Sequence, residues 1–267
     1  MVAEFPFFQL ETSKLACELW VNAMPVARLG RRELASGSLI PAGPYLVQGT
    51  NKMDLVLATG DRPTSARERR GDEVVEGVAA ARLIWFPKGA LALPENGRTV
   101  MDLNSHSSPR DDDGSLRAIP VPWSLSTTTE VRDGRPRWAF EEATPLDPAA
   151  VEGLFLVFLR TLESALRSDD VASIFALRNE ELAQAYGDPR ELIDEHTREA
   201  FAEVARDGDI LRWDRDAADH RIVGDGRVLD CVAKDWRGSI QYRRTDETWA
   251  PLRVLLAWVD GALRVVR

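Results

Sequence analysis

The feature that most limits what this chain can become is a change of apolar period partway along it. Val151, Leu154, Phe155, Phe158, Leu159, Leu162 and Leu166 recur at helical spacing and form one wide face. After Gly208 the period falls to two, and Gly224-Asp225-Gly226 and Asp260-Gly261 stand between the runs as hairpin turns. Helix-period sequence followed by strand-period hairpins predicts an α+β layer in which helices cover an antiparallel sheet.

The helical part reads as three helices. Asp147-Pro148 opens the first, because a carboxylate can cap free N–H groups and proline tolerates the first helical position. A second follows Asp169-Asp170, with Val171, Ile174 and Phe175 inward, and ends near Gly187. Asp188-Pro189 repeats the start signal, and Ile193, Phe201 and Val204 give a third helix ending at Gly208. Strands then fall at residues 210–214, 220–223, 227–233, 239–244, 252–259 and 262–266.

The first half lacks helical periodicity. Short apolar runs at 15–21, 25–29, 53–58 and 79–86, with later ones at 115–121 and 137–142, are separated by Gly, Pro and Asn turns such as Asn22-Ala23. Strands at this spacing predict an all-β sandwich or jelly roll. Residues 62–72 and 104–114 are polar and aperiodic, which predicts surface loops. Composition shifts near Thr144-Pro145-Leu146-Asp147-Pro148. The expectation is therefore two domains: an N-terminal β-sandwich over 1–144, and a C-terminal α+β domain over 145–267 with three helices followed by a curved antiparallel sheet.

Charge narrows the choice of partner. The net charge is −9, which does not suit the phosphate backbone of nucleic acid. Residues 1–146 carry 17 basic and 19 acidic groups, net −2, and the remainder 17 and 24, net −7. An electrostatic partner of the second half would be cationic. Only four of the 34 basic residues are lysine, an arginine bias that points to a GC-rich bacterial genome. Cys17 and Cys231 form no CxxC pair, which argues against a disulfide framework or thiolate zinc site. Residues 1–10 carry Glu4 and no early basic group, a poor secretory signal. The longest apolar stretch, 153–159, is far short of the ~20 residues of a membrane span. A cytoplasmic location without membrane contact is the expectation.

No GxSxG, HExxH, GxGxxG or GxxxxGK[ST] motif occurs, and no cofactor is implied. The run Arg110-Asp111-Asp112-Asp113-Gly114 fails as an EF-hand, because Pro109 and Pro120 would occupy the first and twelfth positions. Asp214, Asp216, Asp219 and His220 form the densest set of metal-capable groups, but aspartates in a turn also cap their own backbone. His106 and His196 are isolated.

The order of helices and hairpins over 147–267 resembles the nuclear-transport-factor-2-like (cystatin-like, cone-shaped) superfamily. The resemblance implies a curved sheet wrapped on a long helix with a pocket at its open end, in a fold that hosts enzymes, ligand binders and interaction modules. Glu18-Leu19-Trp20-Val21-Asn22-Ala23-Met24-Pro25-Val26, with the later run at 40–57, resembles galactose-binding-like sandwich modules, although Ala23 stands where those carry glycine.

Three functional readings follow. The first is a non-enzymatic interaction protein, such as an immunity or accessory protein, whose acidic half or sandwich meets a protein partner; self-association as a homodimer stays open. The second is a small-ligand binder or enzyme using the pocket of the cone-shaped domain. Its candidate lining is Trp213, Asp230, Tyr242 and Trp258, with Asp230, set between Val228 and Val232, as a desolvated base, unless it faces solvent or pairs with an arginine such as Arg243. The third is a carbohydrate-binding sandwich using Trp20, Trp85 or Trp123.

Overall fold

The computed structural model describes residues 4–30, 36–58, 71–91, 93–105, 112–115, 117–132, 137–187 and 189–266. Among them strands predominate, and the four α-helices all lie in the second half. Chain packing gathers Met1–Pro136 into one compact unit and Arg137–Arg267 into another.

The first unit contains β1 (Glu4–Ser13), β2 (Cys17–Val21), β3 (Met24–Leu29), β4 (Ser36–Pro41), β5 (Gly49–Leu57), β6 (Gly71–Val74), β7 (Val78–Pro87), β8 (Arg98–Asn104), β9 (Ala118–Val121) and β10 (Trp123–Val131). Two four-stranded sheets, ordered β4-β1-β7-β8 and β10-β5-β2-β3, contribute to one core, and β6 pairs with β9 separately. Phe8 and Leu10 alternate inward from β1, and Leu19, Val21, Leu55 and Leu57 come from the other sheet. The Asn22-Ala23 turn is left-handed at both residues (φ 50° and 63°). The buried Asn51 side chain ties this turn down: its Oδ1 accepts from Asn22 Nδ2 and from the Val47 amide, both at 2.9 Å. Its Nδ2 donates to the Val47 and Gly49 carbonyls, so the group is fully satisfied.

The leading strand β1 lies in a stretch without regular apolar alternation. Residues 137–142, expected as a strand, instead form a 3-10 turn, Ala139–Glu142, that buries Trp138 and Phe140. The expectations for residues 62–70, for His106 and for Arg110 and Asp111 lie outside the described residues.

The second unit contains α1 (Val151–Ser168), α2 (Val171–Ile174), α3 (Ala176–Tyr186) and α4 (Arg190–Ala200). These are followed by β11 (Leu211–Trp213), β12 (Arg221–Val223), β13 (Val228–Asp230), β14 (Ile240–Arg243), β15 (Trp249–Leu252), β16 (Leu255–Val259) and β17 (Ala262–Val265). The apolar stripe of α1 is the one its spacing predicts: Phe155, Phe158, Leu162 and Leu166 are buried, with Val151, Leu154 and Leu159 half-buried against the same core. The chain between the units belongs with this second unit. Ala139 N donates to Glu181 Oε1 at 2.8 Å, Thr144 N to the Trp258 carbonyl, and Leu146 N to the Gly226 carbonyl.

Four departures from expectation have local causes. The second helix is divided at Phe175 (φ −96°, ψ 7°), giving four helical segments rather than three. The third ends at Ala200 rather than Gly208, because Val204 and Ala205 are drawn into backbone pairing with β14 and the residue after it: Val204 bridges Arg244, and Ala205 N donates to the Arg243 carbonyl. Asp147 does not cap α1; its Oδ1 accepts from Ala149 N in a turn ahead of the helix, and Ala150 holds the N-cap position. The strands form two sheets, β11-β14-β15 and β12-β13-β16-β17, rather than one.

Truncation should separate the two faces of α1. Leu162→Ala, at a fully buried position, should destabilise by ~2–5 kcal/mol. Val157→Ala, at a position 61% exposed, should stay within ~0.5 kcal/mol. Urea midpoints for the two variants check this, and equal shifts would contradict the assignment of the helix face.

Candidate functional site

The Gly224-Asp225-Gly226 turn sets the site. All three residues adopt left-handed backbone (φ 57°, 54° and 88°), and the hairpin pairs Val223 with Val228, Ile222 with Leu229 and Arg221 with Asp230. The last pair opposes two ionised residues inside the protein, with Asp230 0% and Arg221 2% exposed. Arg221 Nε donates to Asp230 Oδ2 at 2.8 Å. Arg253, between β15 and β16, completes the cluster: its Nε donates to Oδ1 at 2.9 Å and its Nη2 to Oδ2 at 2.8 Å. Arg253 thus holds both carboxylate oxygens in a bidentate fork, the strongest geometry for this pairing, and Arg221 adds a single bond to Oδ2.

Trp236 covers these guanidiniums. Arg221 Cζ lies 4.5 Å and Arg253 Cζ 4.3 Å from its ring centroid, within cation–π range. The indole reaches that position from a left-handed backbone (φ 72°), a conformation costly for a bulky residue and held only where its surroundings over-determine it. Two residues on, a Cβ built on Gly238 would lie 2.0 Å from the Leu252 carbonyl carbon. Only glycine lets the turn between β13 and β14 pass this close to the neighbouring strand.

A second layer sits on the first. Ser239 is buried, and its Oγ lies 2.6 Å from Nε2 of His220, the residue preceding Arg221. The half-buried imidazole is flanked by Phe155 of α1, edge-on with centroids 4.4 Å apart, and by Trp213, stacked at 5.9 Å. Burial pushes the His220 pKa down from 6.5 to about 4, outweighing the opposing fields of Asp230, Asp219 and Glu152. Cys231, fully buried beside Asp230, has its thiol pushed well above the ordinary range, burial being the main cause.

Of the residues expected to line a pocket, Trp213 and Asp230 meet in this cluster through His220. Tyr242 lies elsewhere, half-buried in β14 with its ring 5.4 Å from Phe201, and Trp258 packs on the core from β16, in the other sheet. Asp230 does not pair with Arg243, whose guanidinium serves Glu247 and the Asp207 carbonyl. Its oxygens are turned to Arg221 and Arg253, so it stands as the anion of an ion-pair network rather than as a base facing a cavity. Asp214 caps the amides of Asp216 and Ala217, and among the described residues no three His, Cys, Asp or Glu side chains are grouped to hold a metal.

Also among the described residues, no helix is long and apolar enough to cross a membrane. The chain matches no known family, no curated protein and no solved structure.

The close approach at Gly238 gives a direct check. Gly238→Ala forces the Leu252 backbone aside and should cost roughly 1–3 kcal/mol, the range for overpacking a filled site. Chemical denaturation measures it; an unchanged midpoint would show that the crossing turn has slack.

Proposed function

We propose that the chain is a non-enzymatic interaction protein whose second unit docks a cationic protein partner on the outer face of α4. The observation that carries this reading is the ridge formed by Glu191, Glu195 and Glu199, one helical turn apart and all exposed. Like charges at this spacing oppose one another by ~0.2–0.5 kcal/mol per pair. Several exposed carboxylates elsewhere in the unit are matched by arginine, as in Glu163–Arg167, Asp169–Arg206, Glu152–Arg215 and Glu203–Arg244, whereas others, such as Asp225 and Asp260, stand singly in turns. Among the described residues the three ridge glutamates have no such partner, so the helix bears a repulsion that a cationic surface would relieve. Leu192, 40% exposed, supplies apolar surface on the same helix.

Two fold readings belong with this proposal. The helix-then-hairpin order of residues 145–267 supports a nuclear-transport-factor-2-like cone, a superfamily that includes pure interaction modules. The two facing sheets of the first unit support a β-sandwich of the galactose-binding-like kind over 1–144. An immunity or accessory protein that neutralises a basic partner would use such an acidic surface.

The double reversal Glu191→Lys/Glu195→Lys tests the reading. A partner crosslinked and co-purified with the unaltered protein should associate at least roughly tenfold more slowly with the variant, and high salt should slow the unaltered protein far more than the variant. The fold should be preserved, since both positions face solvent. A captured partner whose association ignores both reversal and salt would move the interface off α4.

A further inference from the structure

We propose that the cage around His220 is an acid-operated latch that holds α1 on the sheet and opens when the imidazole is protonated. The geometry makes His220 the meeting point of four parts of the second unit. Phe155 presents the first half of α1, Trp213 the end of β11, His220 itself the residue before β12, and Ser239 the residue before β14. Phe155 and Trp213 also touch each other directly, with ring centroids 5.1 Å apart and 67° between planes. The three rings therefore close around one another, and α1 docks by placing Phe155 in that closure.

The latch is poised because the imidazole is the one member whose charge can change. In the docked state the half-buried ring lies between two aromatic residues with one hydrogen bond, to Ser239 Oγ, so a proton there is less well solvated than in water. The fields of Asp230, Asp219 and Glu152 favour the proton but do not outweigh burial. Asp230 is committed to Arg221 and Arg253. Glu152, one turn before Phe155 on α1, pairs with Arg215 at 2.8 Å. Asp219 adjoins His220, and its amide donates to the Val232 carbonyl. On the crossing turn, Asp235 is taken by Arg237 and Lys234 Nζ donates to the Asp216 carbonyl. Trp213 adds a second constraint: its Nε1 is buried with no hydrogen-bond acceptor, so the closed cage leaves a polar group unpaired that opening would release to water.

The sign follows from these surroundings. With α1 undocked, the ring is solvated and takes its proton near pH 6.5; with α1 docked, it does so near pH 4. Above pH 6.5 the ring is neutral in both states and the latch is fully closed. Between pH 6.5 and 4 the open state alone binds the proton, so its population rises toward tenfold per pH unit. Below pH 4 both states are protonated and the dependence ends.

Amide hydrogen exchange over residues 151–166, corrected for the pH dependence of intrinsic exchange and followed from pH 7.5 to 4.5, reads the opening directly. The unaltered protein should show the opening constant climbing toward tenfold per pH unit below 6.5. His220→Phe and His220→Gln, which keep the ring volume and the polar contact respectively, should lose that slope while carboxylate titrations elsewhere stay common to all three. The same slope in both variants, or none in the unaltered protein, would overturn the latch. Should both variants fail to fold, NMR titration of the His220 ring in the unaltered protein decides the matter. A ring that titrates near pH 6.5 while the α1 amides stay protected overturns the proposal; one that stays neutral until those amides exchange upholds it.

Discussion

The second unit depends on a carboxylate buried where the chain changes sheets. Asp230 ends β13, and the next strand, β14, belongs to the other sheet. The chain returns between β15 and β16, where Arg253 sits. A fully desolvated aspartate cannot be left alone, because removing a charge from water costs several kcal/mol unless it is matched at close range. Matching Asp230 requires Arg221 from its own hairpin and Arg253 from the return crossing together, so meeting its electrostatic needs fixes both crossings. Trp236 and Gly238 are then consequences. The indole must reach back over the guanidiniums, and the turn must squeeze past Leu252 to do so.

This arrangement also orders the chemistry of the unit. Groups that could act as base or nucleophile are spent on holding the fold: Asp230 in its ion pairs, His220 inside its aromatic cage, Cys231 in the core. Uncommitted acidic groups lie on the surface, and three of them, Glu191, Glu195 and Glu199, line up along α4. Buried charge in this protein specifies how strands cross, and exposed charge on α4 is what the proposed docking face would use, which is the division that separates it from the latch.

Part of this was legible in the sequence. A carboxylate on an apolar strand face, as at Asp230, calls for an arginine partner. Counting outward from Gly224-Asp225-Gly226 as a three-residue turn sets Arg221 opposite Leu229; the turn takes in Arg227 as well, and only that extra residue brings Arg221 opposite Asp230. The α1 stripe and the two glycine turns follow from spacing alone. Arg253 and Trp236 were not legible: they reach Asp230 through crossings between sheets that no local periodicity encodes, and Trp236 adopts a backbone conformation that turn preferences assign to glycine or asparagine. Gly238 was the available clue, a glycine placed just before a strand. The misplaced starts and ends share a cause. Asp147-Pro148 carries the chemistry of a helix start, yet hydrogen bonds to the 224–226 turn and to Trp258 hold the preceding segment, and the helix begins later. Phe175, Phe201 and Val204 fit a helical stripe in sequence, but burial against the sheet breaks the helices there. Strand β1 was obscured by its adjacent Phe7-Phe8 and by Pro6, which spoil the alternation.

The claim that the Asp230 network fixes the two crossings is tested most directly by a double-mutant cycle on Asp230 and Arg253. Asp230→Asn and Arg253→Met are each made alone and then together, and the unfolding free energies are compared. If the network acts as one unit, each single change leaves an unmatched buried group and costs about 3–5 kcal/mol. The double change should then cost less than the sum by at least ~1.5 kcal/mol. Additivity within ~0.5 kcal/mol would contradict the account, because it would mean that Asp230 and Arg253 sit together without depending on each other.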